Sequence, residues 1–404
     1  MNSRRMRNTL PIPAWIFALL AMLPAVLPAQ HIAYTTYPVP TPNSFASAIT
    51  AGPDGAMWFT EGAAGKIGRI TTTGTITEFP ISAACEPYDI TTGPDGALWI
   101  TCESQYSVIV RMTTSGEVTS YPAPSGQYDI VAGPDGALWF AGFSYIGRIT
   151  TSGIVTQYPL ANEPWAFGIT AGPDGALWFT EVFGNNIGRI STSGDITEYP
   201  IPTPDSQPFG IAAGPDGALW FEETNGPYLG RITTSGIFTQ YLAGDEWAIA
   251  AGPDGALWFG GGGYGRITTS GVTTYYPLYV GSSGMGIAAG PDGAMWLTQY
   301  QTNEIIRVPA CGLGLSTSFA NGTLTMTFDL GITTPATFNI LLRDAKGSFA
   351  EPFSKAIQPA VPPKPFSMQW TGIAGRGPVT VQAVLTGGPG DAICSESQTV
   401  NTGQ

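Results

Sequence analysis

Three features of this 404-residue sequence predict an all-β fold. The segment Gly-Pro-Asp-Gly-Ala-(Leu/Met)-Trp occurs seven times, starting at Gly52, Gly93, Gly133, Gly172, Gly214, Gly252 and Gly290. The starts are 38 to 42 residues apart, a period that suits a four-stranded propeller blade. Charged residues make up only 11% of the chain, while Gly (53) and Pro (35) abound, the composition of short strands joined by tight turns. The last copy lacks a fourth strand, and an unmatched strand of that type stands near the N-terminus. Together these predict a seven-bladed β-propeller over residues 31–310, closed by its N-terminal strand. A small Ig-like β-sandwich is expected over residues 311–404.

Residues 1–29 read as a secretory signal peptide. Arg4, Arg5 and Arg7 form a basic start, an apolar run extends from Ile12 to Leu27, and small residues near Ala29 offer a cleavage point. The run is short and broken by Pro13, Pro24 and Pro28, which argues against a membrane anchor. A secreted or periplasmic protein is therefore expected. The formal charge is −13 with 16 basic and 29 acidic residues, and three of the basic ones lie in the leader. A chain this acidic repels phosphate backbones, so nucleic acid is not an expected partner.

The first strand after the leader is Ile32-Ala33-Tyr34-Thr35-Thr36-Tyr37-Pro38, whose Tyr-Pro ending matches Tyr158-Pro159 and Tyr199-Pro200 at the ends of fourth strands. Each repeat then reads as four strands. In one copy, Ile169-Thr170-Ala171 precedes the Gly-Pro-Asp-Gly turn, in which Pro presets φ and the last Gly takes a positive φ. Ala176-Leu177-Trp178-Phe179-Thr180 is nearly all apolar, as expected of a strand covered on both faces. Ile187-Gly188-Arg189-Ile190 and Ile196-Thr197-Glu198-Tyr199-Pro200 follow, separated by a Thr-Ser-Gly turn. The terminal Pro suits an outer edge. An Asp in every turn and an Arg in every third strand serve the blade, as turn cap and salt bridge, rather than a single site. The seven repeated Trp are expected to pack blade on blade.

From Cys311 the repeat stops, and alternating stretches such as Thr323–Phe328, Thr337–Leu342 and Val379–Val384 suggest the sandwich. Four cysteines allow three pairings. Cys85–Cys102 and Cys311–Cys394 are favoured, because each pair closes one structural unit in an oxidising compartment.

The only histidine is His31, which excludes a Ser-His-Asp triad and a multi-His zinc site. A site is expected where the repeats differ. The position two before the first-strand Ile holds Ser47, Tyr88, Tyr128, Phe167, Phe209, Trp247 and Met285. The position three after each repeated Trp holds Glu61, Cys102, Gly142, Glu181, Glu223, Gly261 and Gln299. Glu86, Asp89, Glu103, Asp129, Glu163, Glu222, Asp245 and Glu246 lie nearby. Two readings follow. One is a rim that binds an apolar, planar or sugar-like ligand through Tyr88, Tyr128, Phe167, Phe209, Trp247 and Met285. In it, Glu61, Glu86, Glu103 and Glu181 hold magnesium or calcium. In the other, the aromatics only plug the axis and the acids are solvated.

The repeat Gly172–Glu181, then Asn186–Ile190, then Gly194–Thr203, closely resembles the virginiamycin B lyase (streptogramin lyase) family over about residues 32 to 310. The resemblance implies a seven-bladed propeller that opens the ester-closed ring of streptogramin B antibiotics by elimination. It further implies a His base at Met285, magnesium-binding Glu at Ser283 and Gln299, and a substrate-contacting His at Trp247. All four positions depart from that pattern, so no catalytic residue is carried over. An exported, non-catalytic binder of a small molecule, glycan or peptide is the expectation, with the C-terminal region as a docking point for a protein or envelope partner. The alternatives are a C–O lyase on streptogramin-type depsipeptides or a metal-dependent lactone hydrolase, either using rim carboxylates, and a structural spacer with no ligand.

Overall fold

The computed structural model describes residues 34–81, 85–102, 108–243, 246–261, 264–276 and 286–309, and beyond them only a set of strands between residues 316 and 401. Six blades are consecutive four-stranded antiparallel sheets, beginning with Ala46–Ala51, Pro87–Thr92, Gln127–Ala132, Ala166–Ala171, Pro208–Ala213 and Glu246–Ala251. The seventh joins Ile287–Ala289, Ala294–Gln299 and Glu304–Pro309 to the N-terminal strand Thr35–Pro38. Thr35 faces Arg307 and Tyr37 faces Ile305 across that antiparallel pair. The expected ring closure is therefore present, with the two ends of the propeller sequence in one sheet.

Every second strand is buried along its whole length, as its apolar sequence requires. The third strand needs a glycine beside it. A Cβ on Gly188 would lie 2.1 Å from the Phe179 ring, which packs flat over that backbone. The turn of the same blade closes through Gly172 N–H to Ala176 O at 2.7 Å, with Gly175 at φ +76°. Asp174 serves two partners. Its Oδ1 accepts the Trp178 indole N–H at 3.0 Å, and its Oδ2 accepts Arg189 Nε at 2.7 Å. The Asp–Arg pair recurs in all seven blades at 2.5 to 2.7 Å, so these charges are spent on the scaffold and form no ligand-facing ring.

The repeated tryptophans do bridge blades. Trp178 of blade 4 packs with Ile211, Leu219 and Phe221 of blade 5 and stacks on Tyr199 at 5.5 Å. Trp296 of blade 7 packs with Ile49, Met57 and Phe59 of blade 1, which carries the core round the closure. Cys85 and Cys102 form the expected disulfide. Cys311 lies outside the described residues, as does the side chain of Cys394, so the second expected pairing falls there too.

Beyond residue 309 the described strands form two antiparallel sheets. One contains Ser316–Ala320, Thr323–Phe328 and Phe366–Thr371; the other contains Ala336–Asp344, Gly347–Ser348, Phe353–Ile357, Pro378–Thr386 and Cys394–Asn401. No helix among the described residues is long and apolar enough to cross a membrane.

Candidate functional site

Each first strand starts on the face where its second strand ends. Ala46 pairs with Glu61, Pro87 with Cys102, Gln127 with Gly142, Ala166 with Glu181 and Pro208 with Glu223. Past that pair the register slips in all five strands. A bulge of this kind leaves residues out of the ladder and redirects their side chains. Here the displaced residues are the variable position and its successor, such as Tyr88-Asp89 and Phe167-Gly168.

In four blades a threonine takes up the amide of the residue that follows the variable position. The N–H groups of Ala48, Asp89, Gly168 and Gly286 donate to Thr60, Thr101, Thr180 and Thr298 Oγ1 at 2.9 to 3.1 Å. Thr101 and Thr180 in turn donate to the carbonyls of Tyr128 and Phe209 in the following blades, both at 2.7 Å. One hydroxyl thus fixes the bulge and ties it to the neighbour.

The bulges line an axial cavity of about 170 Å³. First strands of all seven blades contribute, including Ser47, Asp89, Asp129, Phe167, Phe209, Ala248 and Gly286. The rings of Tyr88, Tyr128, Phe167 and Phe209 form one cluster. Tyr88 meets Tyr128 at 5.9 Å, Tyr128 meets Phe167 at 5.3 Å, and Phe167 meets Phe209 at 4.5 Å. Of the other residues expected on this rim, Met285 and the side chain of Trp247 lie outside what the structure describes.

The cluster includes residues that sequence reasoning missed. Trp165 sits 5.7 Å from Phe209 and 5.8 Å from Tyr128, and Phe183, which is 63% exposed, leans on it at 5.0 Å. Trp165 adopts φ 53°, a left-handed conformation that a bulky residue rarely takes and that accompanies functional loops. The available signal was an aromatic two residues ahead of the variable position, seen also in Phe45 before Ser47.

Asp89 and Asp129 occupy equivalent places in adjacent blades and both line the cavity. Asp89 Oδ2 accepts the Ile130 N–H at 2.8 Å. Burial raises Asp89 to about 6; burial, then the neighbouring charge of Asp89, raises Asp129 well above the usual carboxylate range. The pair had stood in the sequence only as two acids among eight near the rim.

The strand-end carboxylates are a different group. Glu61 and Glu181 are buried, in blades 1 and 4. Burial, joined by the charge of Glu78, raises Glu61 to about 7. Burial raises Glu181 to about 7 as well, although Asn186 Nδ2 donates to its Oε2 at 2.8 Å. Glu223 is raised by burial despite a 2.6 Å bond from Gln240 Nε2. Glu86 is exposed ahead of blade 2, and Glu103 lies outside the described residues. No three His, Cys, Asp or Glu side chains converge as a metal site among the described residues. Glu61 and Glu181 end the second strands of blades 1 and 4, and Glu86 precedes the first strand of blade 2.

The magnesium implied by the resemblance does not fit blade 7. Gln299 is a buried neutral amide whose Nε2 donates to the Tyr264 hydroxyl, and Ser283 lies outside the described residues. No chemical step is routed through that metal.

The raised glutamates make stability depend on pH. Their folded-state values exceed the ordinary 4.5, so the native state holds protons that the unfolded chain releases. Stability from this source is fully present below pH 4.5 and is lost as pH rises to about 7. Glu181→Gln removes the cost of ionisation. It is expected to raise unfolding free energy over the parent by about 2 kcal/mol at pH 8 and by almost nothing at pH 4.5. Urea titrations at both pH values check this, and an equal effect at both would contradict it.

The family model described as the virginiamycin B lyase family matches residues 32–261. A solved streptogramin B lyase is 34% identical with a TM-score of 0.65, over 68% of this chain and 97% of that one. Virginiamycin B lyase from Staphylococcus aureus is 35% identical with a TM-score of 0.65, over 69% of this chain and all of that one. A catalytically inactive His-to-Ala variant of the same enzyme, solved with quinupristin, is 34% identical, with the same TM-score and the same coverage. No curated protein sequence matches the chain.

Proposed function

The chain belongs to the virginiamycin B lyase family, and on that premise we propose that it is an exported propeller that binds a ligand on its aromatic face without catalysing ring opening. The observation that carries this reading is the histidine count. The S. aureus enzyme becomes catalytically inactive when one His is changed to Ala. This chain has a single His, His31, and none from residue 35 to 309. The inactive variant was solved with quinupristin, so ligand occupancy and absence of catalysis coexist in that protein.

The ligand lies over the rim and inserts one group into the axis. A cavity of about 170 Å³ is below the roughly 300–1,000 Å³ of pockets that enclose drug-sized molecules. The aromatic cluster, with Phe183 exposed beside it, supplies the apolar platform. Export rests on the leader-like residues 1–29 and on the Cys85–Cys102 disulfide, a bond typical of oxidising compartments. We read residues 311–404 as an Ig-like sandwich that docks a protein or envelope partner, supported by the two antiparallel sheets there.

A second reading has one observation in its favour: Glu61 and Glu181 titrate near neutrality, as a general base should. Quinupristin incubated with the purified chain, with magnesium and with chelator, then analysed by mass spectrometry, separates the two. Binding with the ring intact is expected. Magnesium-dependent ring opening would overturn the proposal and direct mutagenesis to those two glutamates.

A further inference from the structure

We propose that the axial cavity binds a small organic ammonium ion, with its charge held by Asp89 and Asp129 and its apolar body against Tyr88, Phe167 and Phe209. This deepens the binding reading above by naming the chemistry of the group that enters the axis.

The composition of the wall selects the ligand. Among the described residues its charged members are Asp89 and Asp129, and no Lys, Arg or His lines it. The other described lining residues are the three rings, the aliphatic side chains of Ile49, Ile211, Ile249 and Ile287, and small residues. An anion would meet only repulsion there. A neutral apolar molecule would cover the carboxylates without supplying a counter-charge. A hard divalent ion takes six to eight oxygen ligands, and a wall of rings and isoleucines does not supply them. An organic ammonium satisfies both halves of the wall: carboxylate oxygens accept its N–H groups, and aromatic faces attract its positive charge.

The bulges explain why the two acids meet. Each displaced Asp follows the aromatic of its own first strand, and adjacent blades bring Asp89 beside Asp129. The backbone amide of Ile130 anchors Asp89, which presets its carboxylate before any ligand arrives. Both acids hold protons more tightly than usual, through partial desolvation and, for Asp129, the neighbouring charge of Asp89. An incoming ammonium relieves that repulsion. Size sets the upper limit. A cavity of about 150 Å³ is known to hold benzene, so 170 Å³ admits an amine with one ring or a comparable alkyl body.

The test is calorimetric titration of the full chain at pH 7 with benzylammonium, with benzyl alcohol as neutral isostere, with calcium chloride, and separately with quinupristin. Benzylammonium is expected to bind at least about tenfold more tightly than benzyl alcohol. The Asp89→Asn/Asp129→Asn variant, which keeps an acceptor at each position, is expected to lose that preference. Ala248→Leu, which fills the cavity from blade 6 without touching the acids, should weaken benzylammonium by about tenfold or more. It serves as the readout if the double variant does not fold. Equal binding of alcohol and ammonium, displacement of the ammonium by calcium, or a preference that survives both variants would overturn the assignment. If benzylammonium fails while quinupristin binds, the cavity assignment falls and the rim reading stands. If neither binds, both fall.

Discussion

Trp178→Ala is expected to destabilise the propeller by about 4 kcal/mol, in the range of large-to-small substitutions of fully buried aromatics. Trp178 has no exposed surface and fills the junction of blades 4 and 5 with Ile211, Leu219, Phe221 and Ile232. Its removal opens a cavity between two sheets that cannot collapse, because each sheet is held in place by its other neighbour. Two further losses add to the cavity. Asp174 loses the indole N–H it accepts at 3.0 Å, and Tyr199 loses the ring on which it stacks at 5.5 Å. Arg189 still holds Asp174 at 2.7 Å, so the turn persists and the loss is one of packing. Urea unfolding followed by tryptophan fluorescence and circular dichroism measures the effect. A loss under about 1 kcal/mol would show that blade contacts are not the main source of cohesion.

The second large effect concerns the closing strand. A chain beginning at Val39 lacks Thr35–Pro38, which pairs in register with Glu304–Arg307. Tyr37 goes with it, and with it the ring stacked 5.8 Å from Trp296. Val39 remains, tied by its N–H to Asn303 O at 2.9 Å, and Asn303 still receives Ser44 N–H and donates to Thr41 O. The truncation therefore removes the fourth strand of blade 7 but keeps the clasp behind it. A loss of about 3–5 kcal/mol is expected, a fall in Tm of roughly 10 °C for a domain of this size. The bare edge of Glu304–Pro309 should also pair with other chains, so light scattering should show association. A chain beginning at Tyr34 is the matched control. Equal melting of the two would mean that the clasp alone closes the ring.

Some of the site was legible in the repeats themselves. The position two before the first-strand Ile stands out because its neighbours barely change between copies, and Tyr88, Tyr128, Phe167 and Phe209 do meet. Asp89 and Asp129 were visible only as acids 40 residues apart. What makes them a pair is the bulge that turns them inward and the contact of adjacent blades, neither of which leaves a mark in the spacing. Trp165 escaped because its place depends on a left-handed backbone at φ 53°, where a reader expects glycine.

Blade number, strand order, the Asp–Arg–Trp scaffold and closure by the N-terminal strand follow from the sequence alone. The scaffold is set by interactions within one repeat, a turn that only certain residues allow and an apolar strand, and closure by the fourth strand that the last copy lacks. A pattern that recurs seven times cannot mislead about such local rules. The absence of histidine from the propeller is equally a fact of the sequence. The tertiary structure decided which of many acids are buried, which two stand together, and how small the space between them is. Those properties depend on how neighbouring sheets approach across the axis. Burial and proximity, rather than residue type, are what turn a carboxylate into a proton-holding group or a ligand for a cation.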